Sequence, residues 1–261
     1  MSRSWARYGL NALERKVAGA ARWLADLVWP PLSALSNAPV GRPGELTPQD
    51  WSKIVFLEAP WCSACGVPFP YPAGEGALCG ACAARAPVYS RARSAFVYDA
   101  QSRTLVLSLK HGGRTDALAA FGPWMARAGA ECLAGADVLL PVPLHPRRLR
   151  QRRFNQSFLL ARAVSRASGV PLDAHVLRRV RATPSQGGLS AKGRARNVAG
   201  AFAVREAAKA GVKGRRFVLV DDVFTTGATL EACARALKRA GAEDVSAITL
   251  SRVVKPVDPL K

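Results

Sequence analysis

The sequence predicts an α/β fold: a mostly parallel, doubly wound sheet, preceded by a small metal-stabilised module and an extra N-terminal helix. Three observations carry this expectation. The apolar run Phe217 to Val220 reads as a buried parallel strand, and after a short turn Leu230, Ala234, Leu237 and Ala240 put one apolar face on a following helix. The run DVLLPVPL, Asp137 to Leu144, reads as a second buried strand feeding a basic loop and a helix from about Asn155 to Ser168. Upstream, four cysteines fall in two C-x2-C pairs. At 261 residues and 49% hydrophobic, the chain can bury one full-sized core with small appendages, and no internal repeat is visible.

In chain order, residues 1–48 read as an amphipathic helix and a linker. Leu10, Leu13, Val17, Ala20 or Ala21, Leu24 and Leu27 share one helical face, with Arg7, Arg15, Lys16, Arg22 and Asp26 elsewhere, until Pro30 and Pro31 stop the helix. Glu14, Arg15 and Lys16 interrupt the apolar run, which argues against a secretory signal. No stretch of about 18 uncharged apolar residues occurs, so no transmembrane segment is expected. The helix is expected to dock on its own protein; a membrane-surface anchor or a partner-binding helix is the alternative. Residues 36–48, rich in Pro and Gly, form the linker.

Residues 58–88 hold Cys62, Cys65, Cys79 and Cys82, with thirteen residues between the pairs. Two such knuckles bring four thiolates to one tetrahedral centre, which suits a structural Zn²⁺ with Zn–S bonds of about 2.3 Å. Disulfides in a secreted chain are the alternative, for which a signal peptide would be expected. The intervening GVPFPYPAGEGAL is rich in Pro and Gly, so metal rather than a core must fold it. Cys132 and Cys233 lie on Ala-rich helical stretches and read as small core hydrophobes.

Residues 92–255 carry the main domain, with strands near 137–142, 217–223 and 244–252 and a helix-like stretch from Ala117 to Ala134. Arg147, Arg148, Arg150, Arg152 and Arg153 in the loop after the first of these strands have the charge to hold pyrophosphate. In the stretch Arg181 to Phe202, Gly187 and Gly188 precede Lys192, Arg194 and Arg196. That composition suits a mobile flap whose cations close over a polyphosphate, with a plain surface loop as the alternative.

The strand from Phe217 ends in two adjacent acids, Asp221 and Asp222, followed by Val223 and a hydroxyl-rich turn of Thr225, Thr226, Gly227, Ala228 and Thr229. First-turn backbone N–H groups have no intrahelical partner and sit at the positive end of the helix dipole, so they stabilise an anion. A carboxylate pair at a strand's carboxyl end can accept hydrogen bonds from vicinal sugar hydroxyls, or hold a divalent metal already bound to the ligand. The expected ligand is a sugar phosphate; an ordinary strand, turn and helix cap is the bland alternative.

The formal charge is +20, and from Arg147 to Arg216 there are 18 Lys and Arg against two acids, Asp173 and Glu206. Such a field attracts polyanions; a nucleic-acid surface and solvated basic faces both fit it. His111, His145 and His175 have neither metal nor triad spacing and read as structural, and Lys110, before His111, could reach a site from its helix, which spacing alone does not show.

The segment VLVDDVFTTGATL, Val218 to Leu230, closely resembles the phosphoribosyl pyrophosphate (PRPP) motif of type I phosphoribosyltransferases. The resemblance implies that Asp221 and Asp222 bind the ribose hydroxyls and that the TTGAT loop binds the 5′-phosphate, with Mg²⁺ accompanying PRPP. It assigns pyrophosphate to Arg147 and Arg148 and flap closure to Lys192 and Arg194, because pyrophosphate loop, flexible loop and PRPP loop follow in the family's order. Enzymes for 6-oxopurines carry an aspartate three positions after the acid pair, where this chain has Thr225, so no dedicated base for the acceptor is identifiable. The cysteine ribbon, LVLSLKHGG (Leu105 to Gly113), PVPLHPRRLRQRRFNQ and TPSQGGLSAKGRARNV, together with the PRPP motif, are similar to the ComF family over about residues 58 to 252. Family members commonly have RGFNQ where this chain has Arg153 before Phe154. These proteins are competence-associated and amidophosphoribosyltransferase-like. The resemblance therefore implies phosphoribosyl transfer to a nitrogen acceptor, or a DNA-uptake accessory that binds single-stranded DNA or a helicase-type partner, and a homodimer. Zinc-bound thiolates and an intracellular metabolite point to the cytoplasm.

Overall fold

A computed structural model describes residues 30–111, 116–183 and 190–254. The expected amphipathic helix lies outside the described residues, as do the glycines of the expected flap. The segment read as a linker carries contacts of its own. Leu32 bridges Pro39, and Asp50, 1% exposed in the one-turn helix Pro48–Trp51, accepts hydrogen bonds from Ser33 Oγ at 2.6 Å and from Ser36 Oγ.

The core contains β1 (Ala92–Val97), α1 (Arg103–His111), α2 (Leu118–Ala128), β2 (Val138–Pro141), α3 (Pro146–Arg152), α4 (Gln156–Ser168), β3 (Leu177–Arg179), α5 (Ala191–Val198), β4 (Phe202–Val204), β5 (Arg216–Phe224), α6 (Ala228–Arg239) and β6 (Asp244–Arg252). Four strands form one sheet in the order β1-β6-β5-β2 with every pairing parallel, and β3 and β4 form a separate two-stranded antiparallel sheet. The strands expected near 137–142, 217–223 and 244–252 are β2, β5 and β6.

Alternation along β5 explains the double winding. Phe217 and Leu219 join a cluster with Leu230 and Leu237 of α6 on one face, whereas Val218 and Val220 join Leu160 and Val164 of α4 and Phe121 and Met125 of α2 on the other. Both faces are covered, so the strand reads as a continuous apolar run rather than an alternating one. Cys233 and Cys132 are buried, one in each of these clusters. Among the described residues no helix is long and apolar enough to cross a membrane.

Two expectations need correction. The helix expected over Ala117 to Ala134 is broken: α2 ends at Ala128, and a separate turn of helix spans Ala130–Leu133. The break falls at Gly129, where the backbone lies against the Ile248 side chain and leaves no room for a Cβ. The basic loop after β2 is the short helix α3. Pro146 stands in its first turn with a preset φ, and the His145 side chain accepts from Arg147 N, which starts a helix that charge alone would not suggest.

At the packing of α2 on α4, a Cβ placed on Gly122 would lie 2.7 Å from the Ala163 carbonyl oxygen. Gly122→Ala is expected to force the helices apart and destabilise the protein by about 1–3 kcal/mol, read as a lower urea midpoint. An unchanged midpoint would contradict this packing.

Candidate functional site

The carboxyl ends of β2 and β5 frame a cavity of about 290 Å³. Asp221 and Asp222, at the end of β5, both line it, together with Val223, Thr225 and Thr229. Asp221 Oδ1 accepts from Ser157 Oγ at 2.9 Å and from Asp222 N at 3.0 Å, and Asp222 Oδ1 accepts from Val223 N at 2.7 Å. Ser157 is itself fixed at the start of α4, where Asn155 caps the helix by accepting from Ser157 N and donates Nδ2 to the Val142 carbonyl. Gly227, at the N-cap of α6 with φ +75°, turns the chain from the strand into the helix. Thr226 is exposed, while Gly227 and Ala228 are buried under the turn.

Four guanidinium groups face the acids. Arg148 and Arg152 lie one turn apart on α3, Arg179 comes from β3 and Arg194 from α5. Arg148 donates to the Thr183 carbonyl at 3.0 Å, and Arg179 donates to Thr183 Oγ1 with its guanidinium 5.2 Å from the Phe202 ring centre. Burial first, and then the neighbouring Arg152, lowers the pKa of Arg148; burial and then Arg148 lower that of Arg179. Gln156 Nε2, Arg179 Nε and Arg194 Nε are buried with no hydrogen-bond partner. Crowded cations with unmatched donors form a site whose electrostatics an anion completes. A larger cavity, about 560 Å³, lies among Trp51, Phe56, Trp61 and Trp124, but its charges, Arg127 and Glu58 at 3.4 Å, already neutralise one another.

The structure thus brings Asp221, Asp222, Val223, Thr225, Thr229, Arg148 and Arg194 to one cavity. Arg147 is exposed and does not line it; Arg152 does. The backbone of Lys192 is in α5, and its side chain lies outside the described residues. Sequence reasoning missed Gln156, Ser157 and Arg179. The first two are the opening residues of α4, read only as a helix start, and Arg179 carries no signal to separate it from the exposed Arg178 beside it.

The thiols of Cys62, Cys65, Cys79 and Cys82 gather within 4.8 Å of one another. Cys65 Sγ and Cys79 Sγ are 3.7 Å apart, against an edge of about 3.8 Å for a tetrahedral four-sulfur zinc centre. No disulfide joins them. Burial raises the Cys62 thiol, but backbone N–H groups of Cys65, Cys79 and Ala64 outweigh it and bring it down to about 7. The set could hold one zinc ion. Cys62→Ser is expected to lower bound zinc from about one per chain to near zero by metal analysis and to lower the melting temperature; full retention of zinc would contradict the assignment.

Arg153, between the cavity-lining Arg152 and the α4 cap, has φ 64° and ψ −13°. That is a left-handed conformation, which suits glycine better than any residue with a side chain. Arg153→Gly is expected to stabilise the protein by up to about 1 kcal/mol by relieving this conformation; a lower denaturation midpoint would show that the Arg153 side chain compensates.

Comparison with known proteins agrees with this architecture. The phosphoribosyl transferase domain family matches residues 155–258. The DNA utilization protein YhgH of Salmonella typhimurium is 34% identical over 198 residues, covering 74% of this chain and 84% of that protein. Competence protein F of Haemophilus influenzae is 38% identical over 116 residues, 44% of this chain and 50% of that protein, and competence protein ComFC of Bacillus subtilis is 29% identical over 162 residues, 61% and 63%. The sheet, the four-cysteine cluster and these relatives together establish that the chain belongs to the ComF family of phosphoribosyl transferase-domain proteins.

Proposed function

We propose that this chain binds PRPP with Mg²⁺ and transfers the phosphoribosyl group to a nitrogen nucleophile, releasing pyrophosphate. The observation that carries the reading is the single cavity in which the acid pair of β5 faces Arg148, Arg152, Arg179 and Arg194, three of its lining side chains having buried, unmatched N–H groups. Asp221 and Asp222 accept hydrogen bonds from the ribose hydroxyls, and the first-turn amides of α6 take the 5′-phosphate. The arginines spread the charge of the departing pyrophosphate, so the C1–O bond breaks with its electron pair on that leaving group as the nitrogen lone pair forms the new bond. The proton released from nitrogen passes to pyrophosphate or water, because Thr225 stands where other enzymes keep an acid. The carboxylate oxygens of Asp221 and Asp222 are hard donors of the kind Mg²⁺ takes, and a bound Mg²⁺ would supply further charge neutralisation to pyrophosphate. We place the activity in the cytoplasm and in DNA utilisation or competence, the processes for which the relatives are named.

Calorimetric titration with PRPP and Mg²⁺ tests this. The wild-type protein is expected to bind, and Asp221→Asn/Asp222→Asn to bind at least about tenfold more weakly, a loss of about 1.4 kcal/mol or more. Equal affinities would remove the reading.

A further inference from the structure

We propose that Arg252 is a positioning residue that ties the cysteine module to the phosphate turn, so that metal occupancy of the four thiols sets the affinity of that turn for its ligand. The proposal rests on reading residues 225–229 as a phosphate site. Arg252 ends β6, opposite Phe224 at the end of β5. Its side chain is 5% exposed, Nη1 donates to the Cys65 carbonyl, and the guanidinium lies 4.5 Å from the Phe224 ring centre. One cation therefore touches a knuckle of the metal module and the residue that precedes the phosphate turn.

The turn rests on what Arg252 holds. A Cβ on Gly227 would lie 2.9 Å from Phe224 Cζ and 3.2 Å from Tyr89 Oη, so the backbone sits directly on the Phe224 ring and the Tyr89 hydroxyl with no side chain between. Tyr89 meets Phe224 edge-on, with centroids 6.5 Å apart. A second tie runs alongside, since Glu231 in the first turn of α6 accepts from Val88 N at 2.9 Å. Cys62, Cys65 and Cys82 belong to the same buried cluster as Phe224, Ala228 and Leu230. Close-packed contacts of this kind transmit displacement, because a ring cannot move without carrying the backbone seated on it. Charge adds to the argument. Arg252 Nε is buried with no hydrogen-bond partner, and four thiolates closing on a zinc ion would place net negative charge beside this buried cation.

The test uses the full chain, with ribose 5-phosphate as probe because its binding needs no Mg²⁺ and survives chelation, and with amide hydrogen exchange as a readout that needs no ligand. Extraction of zinc is expected to weaken ribose 5-phosphate binding about tenfold, with recovery on adding zinc back. Arg252→Met is expected to keep one zinc per chain yet bind about fivefold more weakly or worse, with Arg252→Lys recovering part of the loss. In the extracted protein and in Arg252→Met, exchange should quicken over residues 223–231 while β2 and α4 keep their protection. Zinc-loaded Arg252→Met with wild-type affinity and wild-type exchange over 223–231 would overturn the proposal. If extraction unfolds the whole chain, the zinc-loaded Arg252→Met comparison decides. If the wild type fails to bind ribose 5-phosphate, the phosphate reading of the turn fails, and exchange over 223–231 still decides whether Arg252 couples it to the metal module.

Discussion

Parallel pairing of β5 with a neighbour on each side is the constraint on which the site depends. Because β2, β5 and β6 all run the same way, their carboxyl ends reach one edge, where side chains can converge without a crossing connection. The neighbours do not end together. β2 pairs with β5 only as far as Pro141 opposite Val220, while β6 continues to Arg252 opposite Phe224. Asp221 is thus the first residue of β5 that β2 no longer covers, and the departing β2 chain leaves the crevice into which α3 brings its arginines. The acid pair is placed by a difference in strand length.

Against that edge the protein assembles a cluster that its own stability does not favour. Burial, and then the charge of a neighbouring arginine (Arg152 for Arg148, Arg148 for Arg179), lowers the basicity of both guanidinium groups, and three donors lining the cavity are buried without partners. A buried donor left unmatched costs about 1–3 kcal/mol, so the cavity is a local conflict of the kind that functional sites keep and cores remove. Asp221 is held differently. Ser157 Oγ and Asp222 N both donate to its Oδ1, which fixes the carboxylate before a ligand arrives and reduces the ordering needed on binding.

Much of this was legible in the residues, for reasons that separate what sequence encodes locally from what packing decides. Burial on both faces makes β5 and β2 continuous apolar runs, and the acid pair, hydroxyl turn and glycine sit at fixed offsets from the strand, so motif and elements reinforced one another. The C-x2-C spacing encodes its own closure in the same way. Charge was the misleading signal. A string of arginines reads as a loop, yet His145 and Pro146 start a helix there, and the helical period then sends Arg148 and Arg152 to the cavity and Arg147 to solvent. Arg179 and Gln156 escaped notice because their burial comes from elements distant in the chain. The break at Gly129 depends on the Ile248 side chain more than 100 residues away, which no local pattern records. The flap glycines and the N-terminal helix lie outside the described residues, so those expectations stand as readings of composition alone.

The cysteine module reads from sequence as an appendage, but its packing makes it part of the site's foundation. Ala92 N, the first donor of β1, bonds to the Ala64 carbonyl at 2.7 Å, and the buried Arg93 donates to the Ser63 carbonyl at 3.2 Å with its guanidinium 5.0 Å from the Trp61 ring centre. The knuckle therefore supplies acceptors at one edge of the sheet through Arg93 and near its carboxyl end through Arg252, two buried cations on neighbouring strands. A segment too rich in Pro and Gly to form a core of its own needs a fixed shape before it can present those carbonyls in register, and a tetrahedral metal centre imposes such a shape at the cost of only four side chains. On this argument the four cysteines act beyond their own loops: the geometry they fix is passed to β1 and β6, and through Phe224 to the turn where the helix dipole of α6 meets the cavity.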